Sequence, residues 1–205
     1  MKKSKLLLAA LMLLMASGAF AQLRVGVKAG GNLSKITGFP FEGKMKFGFH
    51  AGIFLDFALN ERLSLQPELL YSAQGLNGSY TDYDGEDNPI NVTGSTSLDY
   101  INVPVLLKIN IAEGLSAEIG PQIGYLVSAT AKLESVEGKQ VIDMKKEKTC
   151  KDFDVTAVAG LSYTFAENFV ISARYCFGFT SVQTEDVSEV KAQNRVIQLS
   201  IGYKF

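Results

Sequence analysis

The sequence predicts an all-β chain: a cleaved signal peptide, then an eight-stranded antiparallel up-and-down transmembrane β-barrel. Three observations predict it. Residues 1–21 have the layout of an export signal. The residues after them alternate apolar and polar with a period of two, in eight segments. The connections between those segments alternate between short and long.

The export signal comes first. Met1-Lys2-Lys3-Ser4-Lys5 is a basic start, residues 6–15 are apolar, and Ala19-Phe20-Ala21 is a small-residue cleavage site. The apolar run falls short of the roughly 20 residues a membrane-spanning helix needs. Cleavage after Ala21 removes three lysines and leaves 184 residues, Gln22 first, with a formal charge of −4. Residues 22–205 then form a single barrel domain. No Cys follows the cut, so a lipid-anchored form is not expected.

Composition removes several function classes. The chain has 205 residues, 20 Lys+Arg, 21 Asp+Glu, one His and two Cys. Balanced charge gives no footprint for nucleic acid. Two cysteines cannot build a disulfide scaffold or a Cys-rich zinc module. A single histidine excludes two-histidine metal motifs.

Strands are expected at about 24–33, 47–57, 63–72, 98–109, 115–127, 153–165, 169–179 and 194–205. In the second, Phe47, Phe49, Ala51, Ile53, Leu55 and Phe57 share one face, and Gly48, His50, Gly52, Phe54 and Asp56 the other. Side chains alternate across a strand, so each segment has an oily odd face and a polar even face. Residues 58–62, 110–114 and 166–168 are short links. Residues 34–46, 73–97, 128–152 and 180–193 are long. Short turns at one end and long loops at the other mark an outer-membrane barrel.

A lipocalin-like barrel would put the odd face inside, and a membrane barrel puts it outside. The interior of eight strands is only just wide enough for side chains to fill. The odd face, rich in Phe, Tyr, Leu and Ile, would overfill it, whereas the glycines and few long polar groups of the even face suit it. Lipid rewards the odd face at about 25 cal/mol per Å² buried, and closure pairs every backbone group, as lipid requires. Two aromatic girdles are expected: Phe57, Phe165, Phe169, Tyr203 and Phe205 at the short-turn end; Phe47, Phe49, Tyr71, Tyr125, Phe153 and Phe179 at the long-loop end.

A family resemblance rests on an ordered set of segments. They are Leu23-Arg24-Val25-Gly26-Val27-Lys28-Ala29-Gly30-Gly31-Asn32-Leu33-Ser34, Leu65-Gln66-Pro67-Glu68-Leu69-Leu70-Tyr71-Ser72, Ile101-Asn102-Val103-Pro104-Val105-Leu106-Leu107-Lys108, Gly120-Pro121-Gln122-Ile123-Gly124-Tyr125 and Ser172-Ala173-Arg174-Tyr175. Together they resemble the small outer-membrane β-barrel family of the Bacteroidota, the porin family or PorT-like proteins, over essentially all of residues 22–205. The alternating last strand with its terminal Phe205 resembles the signal that barrel-assembly machinery reads. The resemblance implies an integral barrel in the outer membrane of a Gram-negative bacterium and no single activity. The PorT member is linked to a secretion system, a role that no residue here identifies.

The even face supplies the candidate site, a polar network in the lumen. It comprises Lys28, Asp56, Glu68, Lys108, Glu118, Asp154 and Arg174, with His50 nearby; Lys204 joins them at the chain end. Four cations against four anions give balance, which a plugged interior needs because buried ions are costly unless paired. Registers set from the short turns put Gly52 opposite Glu68, Leu106 opposite Glu118 and Gly160 opposite Arg174, and Lys28, Glu68, Glu118 and Arg174 are expected near mid-height as a salt-bridged polar core. The rival reading of the same residues is a narrow ion pathway.

Catalytic signals are thin: no serine or acid marks itself as a partner of His50, and no enzyme activity, cofactor or metal is expected. The same registers pair Cys176 with Val158, far from Cys150, so a disulfide is not expected. Asp82, Asp84, Glu86 and Asp87 cluster in a long loop but do not match a calcium loop. Asn91-Val92-Thr93 matches a glycosylation sequon by chance spacing. The expected partners are outer-membrane lipid, the assembly machinery, and an extracellular or secretion-system partner met through the loops.

Overall fold

A computed structural model describes residues 23–38, 43–83, 89–135, 138–184 and 192–205, and the side chains of 80–92 are not among the features described. The expected signal peptide, the acids Asp82, Asp84, Glu86 and Asp87, and Asn91 of the sequon therefore lie outside the described residues or side chains. Nine strands form among the described residues: β1 (Leu23–Thr37), β2 (Lys44–Ala58), β3 (Leu63–Tyr83), β4 (Pro89–Ala112), β5 (Leu115–Ser135), β6 (Gly138–Asp143), β7 (Phe153–Phe165), β8 (Phe169–Gly178) and β9 (Gln193–Lys204). Eight of them close a barrel in the order β4-β3-β2-β1-β9-β8-β7-β5, with β5 returning to β4. All pairings are antiparallel. The barrel has no open seam, which is how β-structure satisfies its backbone in lipid.

The odd face points outward. Ile53, Leu161, Leu199 and Ile201 are each about half exposed, while Lys28, Glu68, Glu118, Arg174 and Gln198 on the even face are buried. No water-soluble protein presents such a continuous apolar girdle to solvent without reason. The aromatics stand at the two rims. Phe165, Phe169, Tyr203 and Phe205 form a chain of ring contacts at the short-turn end, with centroids 5.1–5.6 Å apart. Phe49–Tyr71 and Tyr125–Phe153 pair at the other end, at 5.6 and 5.4 Å.

Three features correct the sequence reading. First, residues 73–97 and 128–152 are not simply loops. β3, β4 and β5 continue far past the rim, and β6 pairs with the top of β5, so β3, β4, β5 and β6 make a sheet beyond the barrel. Its described side chains above the plug, among them Ser79, Thr93, Lys132 and Glu134, are exposed, so this stretch has no need of the apolar alternation that marked the other strands.

Second, two registers differ by two residues. Phe54, not Gly52, faces Glu68. Asn60 closes the first short turn, its Oδ1 accepting the backbone N–H of Arg62 and Leu63 at 2.9 Å each, and pairing begins at Ala58–Ser64. Lys108, not Leu106, faces Glu118, because β4 and β5 run on to a tight turn at 113–114. Gly114 takes φ +75°, open to glycine at little cost, and a Cβ there would meet the Thr164 carbonyl oxygen at 2.6 Å. The third register, Gly160 opposite Arg174, is as expected.

Third, parity does not hold to the top of β5. Asp99 pairs with Ser128 and Tyr100 with Leu126, so Val127 is a bulge. Below it even residues face inward; above it Ala129 is buried.

Cys150 and Cys176 are both free and both buried. Burial pushes the Cys150 thiol above its ordinary value, which keeps it in the unreactive form. Neither thiol of the folded barrel is expected to react with a water-soluble disulfide reagent within the time that labels both after unfolding. Rapid labelling of one thiol in the native protein would sink this.

Candidate functional site: the lumen and its two ends

The lumen has three levels. The middle is an ion cluster centred on Arg174 of β8. Its Nη1 and Nη2 donate to the two carboxylate oxygens of Glu68 at 2.8 Å each, and its Nε donates to Glu118 at 2.6 Å. Gln66 Nε2 donates to Glu68 at 2.5 Å, and Lys28 Nζ stands 3.5 Å from the same carboxylate. The two-point guanidinium fork is the geometry only arginine supplies. Gly160 leaves room for it: a Cβ there would lie 2.8 Å from Arg174 Cγ.

The cluster continues downward through longer contacts. Lys108 Nζ is 3.9 Å from Glu118 and 3.8 Å from Asp56, and Lys204 Nζ is 3.9 Å from Asp56. The charges thus alternate along Lys28, Glu68, Arg174, Glu118, Lys108, Asp56 and Lys204. Asp154 stands apart near the other end, where Thr180, Thr156 and Asn194 donate to it. The ion chain therefore holds four cations and three anions, one positive charge beyond the balance expected from sequence. All the charged residues expected in the lumen are there; the structure joins all but Asp154 into one chain.

His50 is buried above this cluster. Its Nδ1 is 2.7 Å from Asn32 Oδ1, and Asn32 Nδ2 donates to Ser72 Oγ and to the carbonyls of Phe49 and Ala73. A carboxamide oxygen only accepts, so the proton sits on Nδ1. Among the described residues neither a serine nor a carboxylate is hydrogen-bonded to His50. Nor is any group of three or more His, Cys, Asp or Glu placed to hold a metal ion.

The long-loop end is closed by apolar packing that sequence reading missed. Ile36, Leu76, Leu98, Tyr100, Leu126 and Ala129 from the strands pack with Cys150, Val182 and Ala192 from the loops. Loop backbone is tied in as well: Lys151 N donates to the Val182 carbonyl, and Val182 N to that of Ala192, at 2.8 and 2.7 Å. The signal was present in the sequence, since Leu98, Tyr100 and Leu126 are apolar side chains on the polar parity.

The short-turn end is open. A recess of about 1040 Å³ is lined by Arg24, Asp56, Lys108 and Lys204 among others, with the turns 59–62, 113–114 and 166–168 around its mouth.

A closed barrel with its apolar side outward fits the family model for the outer membrane protein beta-barrel domain, which matches residues 19–183. The chain belongs to the outer membrane protein β-barrel domain family. That places it in the outer membrane of a Gram-negative bacterium. Among solved structures, this family member is similar to Neisserial surface protein A (NspA), at 14% identity over 88% of this chain and 95% of that one, with a TM-score of 0.50. It also matches Ail, the attachment invasion locus protein of Yersinia pestis, at 18% identity over 90% of this chain and 99% of that one, with a TM-score of 0.48. At such identity the likeness is one of fold. No curated protein matches this family member.

Proposed function

We propose that this outer-membrane barrel is a non-conducting scaffold, non-enzymatic, whose role is to hold the β3–β6 sheet outside the cell as a binding surface. The observation that supports it is the double closure of the lumen. The Arg174 cluster fills the middle and the apolar plug fills the long-loop end, so among the described residues no continuous polar path joins the two sides. Beyond the plug, β6 is the last strand of its sheet and is exposed along most of its length, with Val141 60% exposed. An unpaired strand edge in water is a template for an added strand.

Planar-bilayer recording tests the closure. Refolded protein, shown to be a barrel by heat-modifiable gel mobility, is expected to give no reproducible unitary current. Stable currents would overturn the scaffold reading in favour of a narrow porin. They would make Lys28, Glu68, Glu118 and Arg174 the selectivity candidates. A secretion-accessory role of the PorT kind would show instead as co-purification with envelope machinery.

A further inference from the structure

The recess at the short-turn end, the periplasmic end of such a barrel, sorts its charges by sign and pairs its lysines only through long ion contacts; it is separate from the extracellular surface proposed above. Deep in it, Lys108 has a side chain only 4% exposed, yet its ammonium donates no hydrogen bond among the described residues. Its nearest carboxylate oxygens stand at 3.8 and 3.9 Å, beyond hydrogen-bonding distance. Lys204 has only Asp56 at 3.9 Å and Thr164 Oγ1 at 3.4 Å. Arg24, which lines the same recess, is within 4 Å of no carboxylate among the described residues. Lys108 and Lys204 thus share Asp56 at long range, with Arg24 as a further cation on the same lining. At the mouth the order reverses. Glu61, Glu113 and Glu167, one from each short turn, line the recess and are likewise unpaired among the described residues.

An ammonium that faces an open recess with donors to spare favours a charge-assisted partner, and the group that suits this pair of lysines is an anion with two oxygens. The acidic mouth then selects among anions. It opposes a multiply charged phosphate and favours a ligand that carries a positive charge behind its carboxylate. The recess volume suits a small molecule of several residues' bulk.

We infer that the periplasmic recess binds a short free peptide, its terminal carboxylate seated between Lys108 and Lys204 and its ammonium held at the mouth by Glu61, Glu113 and Glu167.

The probe is tri-alanine, titrated calorimetrically into protein extracted from the outer membrane in detergent. Saturable binding is expected. It should weaken at least tenfold for the tri-alanine amide, and at least tenfold in Lys108→Met and in Lys204→Gln. Lys35→Gln, at an exposed site on the long-loop side, should leave it unchanged. Heat-modifiable mobility verifies that each variant is folded, and the amide comparison needs no variant at all. Absence of binding, equal binding of the amide, or inorganic phosphate binding as tightly as tri-alanine would each overturn the inference. N-acetyl-tri-alanine separates the two sources of a peptide carboxylate. Weaker binding supports a free peptide, and undiminished binding overturns it in favour of the C-terminus of a longer chain.

Discussion

Arg174→Met is expected to destabilise the barrel by about 3–5 kcal/mol, the usual cost of removing one partner from a buried ion pair. Glu68 and Glu118 would keep their charges and lose three hydrogen bonds between them. Lys28, 3.5 Å from Glu68, and Lys108, 3.9 Å from Glu118, cannot replace a two-point fork. Urea unfolding in detergent micelles, followed by gel mobility, measures the loss. The quadruple variant Arg174→Met, Glu68→Gln, Glu118→Gln, Lys28→Met should recover most of it, because the lysine that Glu68 partnered is removed with it and Lys108 keeps Asp56. If the single and quadruple variants are equally unstable, the loss comes from packing and not from charge.

Tyr100→Ala is expected to cost a similar amount, about 3–5 kcal/mol for truncating a large buried aromatic side chain. Tyr100 is 2% exposed and sits among Leu76, Leu98 and Leu126 in the plug. Its hydroxyl accepts from Asn194 Nδ2 at a long 3.4 Å, so Tyr100→Phe should lose only about 0.5–1.5 kcal/mol. The truncation should also speed proteolysis within 144–152 and 180–184, the segments that carry Met144, Cys150 and Val182 onto the plug. An Ala variant as protease-resistant as the parent would mean that the strands alone hold those segments.

The membrane part of the fold is legible in the sequence because lipid imposes a strict rule. Ile53, Leu161 and Leu199 must be apolar, their neighbours must not face lipid, and the resulting alternation is visible at once. The rest obeys weaker rules. Beyond the plug, β3 and β4 carry exposed polar side chains such as Ser79 and Thr93, and Gly75, Gly78 and Gly94 interrupt what pattern remains. The registers turned on how Asn60 and Gly114 shape two turns, which strand periodicity does not encode. Arg174, Lys28 and the two glutamates could be assigned to the lumen by parity and to its mid-height by their distance from the turns, and there they meet. That Asp154 stays apart depends on strand tilt and stagger around the barrel. Leu98 and Tyr100 were readable as misfits on the polar parity, but strand propensity alone accounts for any one such residue.

The bulge at Val127 gives β5 an evolutionary joint. Below it, a one-residue insertion or deletion would turn every lipid-facing side chain into the lumen, so that stretch tolerates no change of length. The one extra residue that Val127 adds to β5 against β4 lets Ala129 and the residues above it follow their own phase. The portion beyond the bulge can therefore lengthen, shorten or be exchanged without rewriting the portion below it. A lineage under pressure to alter its exposed surface would find its freedom above this residue and its constraint below it.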